Sequence, residues 1–292
     1  MIAITGATGQ LGRLVIDALL ARNTPAKNVI ALVRDPQKAQ DLTAKGVTVR
    51  QADYSKPETL LPALTGVDKL LLISSNELGQ RTIQHRAVIN AAKAAGVQLL
   101  AYTSVLHADK SVLGLAAEHR ETEHVLRDSG VPFTLLRNGW YTENYAASIP
   151  AALQHGAILG SAQDGKISSA ARADYALAAA IVLSSEDSKD HAGRTYELAG
   201  DQAYTLTEFA QAVGTQANKT VVYKDLPQAD YKAALMGFGL PEALADLLAN
   251  SDAGAAQGAL FDGSGVLRQL IGRATTSFAE TIRTAVTGAT VA

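Results

Sequence analysis

The chain has 292 residues, of which 47% are hydrophobic, and a formal net charge of -2. This length favours a large domain with a smaller lobe, and the apolar fraction is enough for a packed core, which excludes wholesale disorder. The small net charge argues against nucleic acid as a main partner, because phosphate backbones bind basic surfaces. The absence of cysteine excludes disulfides, thiolate catalysis and cysteine metal sites, and it is typical of the reducing cytoplasm.

The N-terminus predicts neither a signal peptide nor a membrane anchor. Met1 leads directly into the strand-like segment Ile2 to Thr5, without a charged region followed by an apolar one. The longest apolar stretches, such as Ala176 to Leu183, are far shorter than the ~20 residues that cross a bilayer. We therefore expect a soluble, cytoplasmic protein without a membrane partner.

The first half of the chain alternates short apolar strands with amphipathic helices. Some strands, such as Lys69–Ile73, are nearly continuous apolar runs, which is typical of a parallel sheet covered by helices on both faces. The alternation predicts the α/β class and a doubly wound parallel-sheet Rossmann fold. The predicted strands are Ile2–Thr5, Val29–Val33, Val47–Arg50, Lys69–Ile73, Leu99–Thr103 and Thr134–Arg137, and the predicted helices are Gln10–Ala21, Pro36–Lys45, Pro57–Leu64, Arg81–Ala95 and Leu115–Ser129.

The pattern changes after Tyr141. Residues 147–172 are rich in Gly, Ser and Ala, which predicts loops with one or two short strands. Later signals are strands at Thr195–Leu198 and Val221–Tyr223, a capping box from Thr205 to Glu208, and irregular helix over 228–254. We therefore predict a Rossmann domain over residues 1–146, joined by a returning strand and helix around 174–200, and a smaller C-terminal α/β substrate lobe over residues 147–292.

A glycine-rich turn follows the first predicted strand and opens the first predicted helix. Gly6 allows a sharp turn, Gly9 allows backbone N–H groups to approach a pyrophosphate, and Gly12 allows the helix to pack on the sheet. The helix N-terminus adds unpaired N–H donors and partial positive charge for the anion. In this context the turn predicts a dinucleotide site formed by Gly6, Thr8, Gly9, Gln10, Leu11 and Gly12.

Arg34, at the end of the second predicted strand, indicates NADPH rather than NADH. An NAD site usually has a carboxylate there for the ribose hydroxyls, whereas NADP needs positive charge for its 2′-phosphate. Arg34 supplies a guanidinium, and Lys38 lies one turn further on. Asp35 is better explained as the cap of the helix that Pro36 opens. The alternative is that Arg34 is a solvated residue at a strand end.

Polar residues also follow the later strands, where the ligand crevice of this fold opens. Asp53 is a candidate contact of the adenine amino group, and a turn role is nearly as good an explanation. The turn Ser74-Ser75-Asn76 is expected beside the adenosine ribose, although these are also ordinary loop residues. Thr103 is expected near the nicotinamide.

Three segments resemble the NmrA-like, atypical short-chain dehydrogenase/reductase family: Thr5–Gly12, Val33–Pro36 and Leu136–Tyr141. Within that family the chain is most similar to the bacterial type-2 NAD(P)H:quinone oxidoreductases and next to the triphenylmethane dye reductases. The likeness extends over nearly the whole chain, and Asn138–Tyr141 is its more specific part. It implies an NADPH-dependent enzyme that reduces a small quinone, and it leaves a homodimer open.

The Tyr-x-x-x-Lys pair of ordinary members of the wider superfamily is absent, because the equivalent positions are Leu115 and His119. Hydride addition to an aldehyde leaves a basic alkoxide that needs an acid, whereas addition to a quinone gives a phenolate of pKa roughly 10, like that of tyrosine. The sequence therefore fits direct hydride transfer to a quinone without flavin or metal. It equally fits a non-catalytic NADP-binding redox sensor, which the family includes, and a third hypothesis is a reductase of another conjugated acceptor such as a triphenylmethane dye.

His119 is the one candidate for a substitute proton donor, since imidazole titrates near pH 6.5. The alternative is a solvated charged helix face, because the same helix carries Glu118, Arg120, Glu121, Glu123 and His124. The spacing of the histidines indicates no metal site.

The segment that follows the sixth strand is the predicted acceptor site. A planar acceptor needs flat apolar walls and hydrogen-bond donors, which Trp140, Tyr141 and Asn138 supply. The alternative is that these aromatic side chains only fill space between the lobes. In the stretch that contains Arg172, Asp174 is expected to cap the helix that follows. In the resembling reductases this loop borders nicotinamide and substrate, which implies cofactor contacts at Asn138 and Gly139 and substrate contacts at Asn138, Trp140, Tyr141, Thr142, Glu143 and Arg172.

Overall fold

The computed structural model describes residues 1–291, with side chains described through residue 288. Its strands are β1 (Ile2–Ile4), β2 (Val29–Val33), β3 (Thr48–Gln51), β4 (Lys69–Leu72), β5 (Leu99–Val105), β6 (Phe133–Asn138), β7 (Ala157–Gly160), β8 (Thr195–Leu198) and β9 (Val222–Asp225). Its α-helices are α1 (Gln10–Ala21), α2 (Gln40–Ala44), α3 (Leu60–Ala63), α4 (Arg81–Ala95), α5 (Ala116–Ser129), α6 (Thr142–Ala146), α7 (Ile149–His155), α8 (Arg172–Ser184), α9 (Leu206–Ala217), α10 (Gln228–Gly237), α11 (Glu242–Ala255), α12 (Val266–Ile271) and α13 (Phe278–Val291). Short 3-10 helices cover Ala26–Asn28, Pro36–Ala39, Pro57–Thr59 and Ser188–Asp190.

The chain divides into two compact units. Unit 1 contains Met1–Ala108, Ala117–Asn138 and Ala173–Tyr196, and unit 2 contains Asp109–Ala116, Gly139–Arg172 and the chain from Glu197 onwards. The substrate-binding role predicted for the C-terminal lobe stays a prediction. None of the helices within residues 1–291 is long and apolar enough to span a bilayer.

The main sheet has the strand order β3-β2-β1-β4-β5-β6-β8. The pairs among the first six strands are parallel, and Ile2 of β1 faces Val29 of β2 on one side and Lys69 of β4 on the other. The strand order therefore reverses at β1 and β4, which is where a doubly wound sheet opens a crevice beyond the carboxyl ends of its strands. The predicted Rossmann fold is confirmed.

The sheet of unit 1 forms its core because helices cover its apolar strands. Every residue of β2 and of β5 is buried, which explains why β2 is a continuous apolar run rather than an alternating one. Leu60 of α3, Ile89 of α4 and Leu126 of α5 pack in one cluster with alternate residues of the strands. This packing fixes the strand ends from which the candidate site is built.

Unit 2 combines a small sheet with an aromatic cluster. Strands β7 and β9 pair in parallel, with Ala157 opposite Val222. The capping box of Thr205 and Glu208 at the start of α9 is confirmed, since each side chain bonds the other residue's backbone N–H. The Tyr204 ring lies 4.4 Å from that of Phe278, measured between centroids.

The structure corrects three local predictions. Residues 147–172 were expected to form loops with one or two short strands. They contain the short strand β7, but also helix α7, which has Pro150 in its first turn and is capped by left-handed Gly156. The single helix predicted over Pro36–Lys45 is a 3-10 helix followed by the short α2. Asp174 is not the cap residue of α8 but lies inside its first turn, fully buried.

Candidate functional site

A cleft of about 360 Å³ opens at the carboxyl ends of β1 to β4 in unit 1. The residues predicted to bind the cofactor that line it are Gly6, Thr8, Gly9, Gln10, Leu11, Gly12, Arg34, Asp53, Ser74, Ser75 and Asn76. Four other predicted cofactor contacts, Lys38, Thr103, Asn138 and Gly139, lie outside this lining. The topology therefore brings most of the predicted residues to one place.

The glycine turn has the shape that an anion cradle requires. Gly6 has a φ of +56°, a left-handed conformation that glycine adopts without steric cost. A Cβ on Gly12 would lie 2.5 Å from the Gly6 carbonyl oxygen, so no side chain fits there without displacing the turn. Helix α1 starts directly after Gly9 without a side-chain cap, which leaves its first N–H groups to face an anion.

Arg13 holds this turn against the segment after β2, and the sequence reasoning missed it. Its Nε donates to the Thr8 carbonyl oxygen at 3.1 Å and its Nη2 to the Lys38 carbonyl oxygen at 3.0 Å. Its Nη1 forms an ion pair with Asp41. This contact could not be predicted from spacing, because Lys38 and Asp41 lie far from Arg13 in the chain.

Arg34 lies at the rim of the cleft with its side chain 67% exposed. Its Nη1 is 3.2 Å from Oε1 of Glu77, and Oε2 of the same carboxylate accepts a hydrogen bond of 2.6 Å from Nε2 of Gln84. Glu77 and Gln84 also line the cleft, and neither was predicted. The guanidinium of Arg34 is thus solvated, as expected for a residue at a strand end, and the Glu77 carboxylate also orients it at the cleft.

Asp53 and Tyr54 form the floor after β3. Oδ1 of Asp53 accepts the Ser55 N–H at 3.0 Å, which supports the turn role that was one of its two explanations. The Tyr54 hydroxyl lies 2.8 Å from the Ile73 carbonyl oxygen and contacts the Thr5 hydroxyl. Burial raises the pKa of Tyr54, so this phenol stays neutral and ties together the ends of three strands.

The cleft wall that follows β4 consists of residues Ser74–Glu77, and side chains that do not line the cleft hold its backbone. The Thr103 hydroxyl accepts the Ser74 N–H at 2.9 Å, which explains why Thr103 stands behind the lining instead of in it. Nε2 of His85 accepts the Ser75 N–H at 2.9 Å, and Nε of Arg81 donates to the Ser75 carbonyl oxygen at 2.5 Å. Both side chains come from α4, where the sequence indicated only a polar helix face.

His119 faces the interior of unit 1. It is 4% exposed, and its Nδ1 lies 2.7 Å from the Tyr102 hydroxyl. Burial, and then the charge of Arg81, lowers the pKa of His119 well below its ordinary value, so the imidazole is neutral at neutral pH. The expectation of a solvated helix face is wrong at this position, and the proton-donor role stays a prediction.

Five of the six predicted substrate residues lie in unit 2, and the sixth, Asn138, lies in unit 1. The guanidinium carbon of Arg172 lies 4.6 Å from the centroid of the Tyr141 ring. The backbone N–H of Arg172 donates to both carboxylate oxygens of Glu143, at 2.9 and 3.1 Å, so Glu143 caps helix α8. The Thr142 and Ser169 hydroxyls are 2.8 Å apart. The contact with substrate predicted for these residues stays a prediction.

Trp140 lines an apolar cavity of about 430 Å³ in unit 2. The buried carboxyl of Asp252 also lines it, and accepts hydrogen bonds from the Tyr145 hydroxyl at 2.8 Å and from the Ser161 N–H at 3.1 Å. Burial raises the pKa of Asp252 to about 6. Further apolar lining comes from Ile158, Tyr231, Leu235, Phe238 and Leu248. The sequence reasoning did not find Asp252, because its partners are far away in the chain.

Asn138 is the last residue of β6, one residue beyond the predicted end of that strand, and Gly139 follows it. The backbone oxygen of Asn138 accepts the Leu106 N–H at 2.9 Å, and the Gly139 N–H donates to the Leu198 oxygen at 2.7 Å. The side-chain Oδ1 of Asn138 is buried without a hydrogen-bond partner among the described residues. Such an unsatisfied acceptor is costly, which favours a functional reason for this residue over a packing reason.

Comparisons with known proteins agree with this architecture. A family model described as NAD(P)H-binding matches residues 6–183. Quinone oxidoreductase 2 of Escherichia coli (strain K12) is 60% identical over 97% of both chains, and the crystal structure of the E. coli NADPH-dependent enzyme complexed with NADPH has a TM-score of 0.93 over 97% of this chain and 98% of that one. The triphenylmethane reductase of Citrobacter sp. has a TM-score of 0.92 at 38% identity, over 98% of this chain and 99% of that one. The chain therefore belongs to the NAD(P)H-binding, NmrA-like family of atypical short-chain dehydrogenases/reductases, as its glycine turn and its Asn138–Tyr141 segment predicted.

Proposed function

We propose that this protein is an NADPH-dependent oxidoreductase that transfers a hydride directly to a bound quinone, without flavin or metal. The observation that carries the proposal is the 60% identity to quinone oxidoreductase 2 over 97% of both chains. The cleft of unit 1 supports it independently, because it combines a glycine turn, a helix N-terminus and a cationic rim.

The residues of the cleft fit NADPH. The turn from Gly6 to Gly12 leaves no space for a Cβ at Gly12, as expected where the helix that faces the pyrophosphate packs closely on the turn. Arg34, oriented by Glu77, offers its remaining N–H groups to the 2′-phosphate. When bound, NADPH supplies the hydride. The chain contributes binding, orientation and exclusion of water.

The acceptor residues are proposed in unit 2. Trp140 offers a flat apolar wall, and Arg172 stacks on Tyr141, where its guanidinium can present N–H donors to a quinone oxygen. We propose that the ring of the acceptor occupies the apolar cavity of unit 2, because Trp140 is one of the proposed acceptor residues and also lines this cavity.

The reduced acceptor does not need an acid from the helix that carries the superfamily pair. His119 is neutral and buried against Tyr102, and burial raises the pKa of the Tyr102 phenol, so neither group is poised to release a proton at neutral pH. A hydroquinone anion can take its proton from water, because its basicity resembles that of tyrosine. The site therefore acts by positioning.

The decisive experiment follows NADPH absorbance with the purified protein and a simple benzoquinone, and repeats it with NADH. Turnover by protein free of flavin and metal, with NADPH preferred, is the expected result. Tight NADPH binding without turnover would contradict the proposed quinone reduction and favour the alternative of a non-catalytic redox sensor. A variant with Gly12 replaced by Ala serves as the control for turnover that does not depend on the cleft.

A triphenylmethane dye is a second candidate acceptor, favoured by the likeness to the Citrobacter reductase at 38% identity. Both acceptors are conjugated and planar enough for the same apolar walls. Comparing kcat/KM for a benzoquinone and for a triphenylmethane dye, at equal NADPH, separates them. A higher value for the dye would replace the quinone in the proposal.

We further propose a homodimer in the cytoplasm without a nucleic-acid partner. The net charge of -2 supports the last point, because nucleic acids bind basic surfaces. Light scattering coupled to size-exclusion chromatography measures the oligomeric state, and a monomer mass would contradict the dimer.

A further inference from the structure

The wall formed by Ser74–Glu77 has irregular backbone, and side chains rather than strand pairing hold it. Ser75 is held on both sides of its backbone: His85 accepts its N–H, and Arg81 donates to its carbonyl oxygen. Ser75 is 8% exposed and lines the cleft. A backbone N–H buried to this degree needs an acceptor, because leaving it unpaired costs more than a typical hydrogen bond gains.

The hydrogen bonds of His85 fix its tautomer. The Ser75 N–H can only donate, so Nε2 must carry a lone pair and the ring proton must lie on Nδ1. Nδ1 is 2.9 Å from the Thr122 hydroxyl oxygen, and that hydroxyl donates to the Glu118 carbonyl oxygen at 2.9 Å. One proton assignment therefore satisfies the whole chain of bonds.

The surroundings keep this imidazole neutral. His85 is fully buried, with the Tyr102 ring edge-on at 5.4 Å between centroids. Burial, and then the positive charge of Arg81, lower the pKa of His85 to about 3. The lone pair on Nε2 is therefore available at any pH at which the protein is expected to work.

We infer that His85 is a positioning residue for the cofactor: its unprotonated Nε2 holds the Ser75 backbone, and with it the cleft wall, in the shape that binds the dinucleotide. This inference rests on the proposed function, since it takes the cleft to be the NADPH site. His85 acts through Ser75 and does not line the cleft itself. Its effect should therefore appear in affinity and not in the chemical step.

Two amide substitutions separate the two sides of the ring. In His85→Gln the side-chain oxygen can reach the place of Nε2 and accept the Ser75 N–H, whereas in His85→Asn the shorter amide can replace Nδ1 only. Both variants retain a polar side chain of similar volume, so they form a matched pair. Circular dichroism and urea unfolding establish that both are folded before they are compared.

Affinity for NADPH is measured by isothermal titration calorimetry, which does not depend on turnover. We expect His85→Asn to weaken binding about tenfold, the effect of one unsatisfied buried donor, and His85→Gln to stay within about twofold of the wild type. KM for NADPH should rise in parallel in His85→Asn with kcat little changed. Equal affinities for the two variants would overturn the inference, whereas failure of the wild type to bind NADPH would overturn the proposed function instead.

Nitrogen-15 NMR of the histidine rings tests the inference without any substitution at His85. The expected spectrum of the wild type, with and without NADPH, shows a protonated Nδ1 and an unprotonated Nε2. Thr122→Val removes the partner of Nδ1, so the other tautomer should gain population and affinity for NADPH should fall. A protonated Nε2 in the wild type would contradict the bond to Ser75 and overturn the inference.

Discussion

Arg137 binds the carboxylate of Glu123 with two nitrogens, Nε at 2.9 Å from Oε1 and Nη2 at 2.7 Å from Oε2. Glu123 is 1% exposed and also accepts the Ser104 hydroxyl at 2.7 Å and Nη2 of Arg127 at 3.1 Å. Ser104 and Arg137 face each other across β5 and β6. One carboxylate of α5 therefore joins the helix to two neighbouring strands.

Replacing Glu123 by Gln should destabilise the protein strongly, because it leaves the buried guanidinium of Arg137 without its counter-charge. We expect a loss of about 3–5 kcal/mol in the free energy of unfolding, measured with urea. Glu121→Gln on the same helix is the control: its carboxylate is exposed and accepts the Thr82 hydroxyl at 2.6 Å, so the substitution should cost less than about 1 kcal/mol. Similar losses for the two variants would contradict this account.

The same pair gives a pH dependence. Burial opposes ionisation of Glu123, but hydrogen bonds from Arg137 and Ser104 and the charge of Arg137 outweigh it and lower the pKa of Glu123. A carboxyl whose pKa is lowered by folding stabilises the protein above its unfolded pKa, and this stability is lost as the pH falls through the folded value. The free energy of unfolding of Glu123→Gln, measured with urea across this pH range, should therefore differ most from that of the wild type at neutral pH and least in acid.

The sequence predicted the parts of the site that depend on local backbone. The glycine turn could be predicted because its conformation requires glycine at Gly6, Gly9 and Gly12, all within seven consecutive residues. His85, Gln84 and Glu123 were missed because they look like polar helix surface, and their partners on other elements cannot be seen from spacing. Helix α7 was missed because its small residues suggested a loop, although alanine is a strong helix former.

Replacing Gly12 by Ala should remove NADPH binding. The new Cβ would lie 2.5 Å from the Gly6 carbonyl oxygen and 2.8 Å from the Ala7 Cα, and both are backbone atoms that can move only with the turn. We expect a loss of affinity of at least about tenfold, measured by calorimetry. Gly237→Ala is the control, because its Cβ would meet nothing within 4 Å. Unchanged affinity in Gly12→Ala would mean that the pyrophosphate does not lie on this turn.

Replacing Arg34 by Glu should weaken the binding of NADPH far more than the binding of NADH. The substitution removes the cation at the rim and sets a second carboxylate beside Glu77, so a 2′-phosphate meets repulsion where it met a guanidinium. We expect about a 10- to 100-fold loss for NADPH and little change for NADH. Lys38→Glu is the comparison, since Lys38 lies outside the lining. Equal losses for both cofactors in Arg34→Glu would defeat the assignment.

Replacing Asp252 by Asn should change how stability depends on pH. Folding raises the pKa of Asp252 from 3.8 to about 6, so its protonated form stabilises the folded state fully below about pH 4, and this contribution is lost as the pH rises through about 6. The loss amounts to roughly 3 kcal/mol at most. The free energy of unfolding of the Asn variant, relative to the wild type, should therefore rise between acid and neutral pH. Parallel curves would contradict the shift, and the exposed Asp128→Asn controls for general charge effects.

Replacing His119 by Ala should leave quinone reduction largely intact. The imidazole is neutral and buried against the Tyr102 hydroxyl, so its removal takes away a hydrogen bond of the interior and no proton that the acceptor needs. We expect kcat to change less than about threefold and the free energy of unfolding to fall by about 1–3 kcal/mol, the cost of leaving the buried Tyr102 hydroxyl unpaired. His119→Asn can place its amide oxygen at the position of Nδ1, near that hydroxyl, and should recover stability. Two results together would show that a proton donor is required. The kcat of the Ala variant would collapse at unchanged NADPH affinity, and the kcat of the wild type would follow a single ionisation as the pH changes.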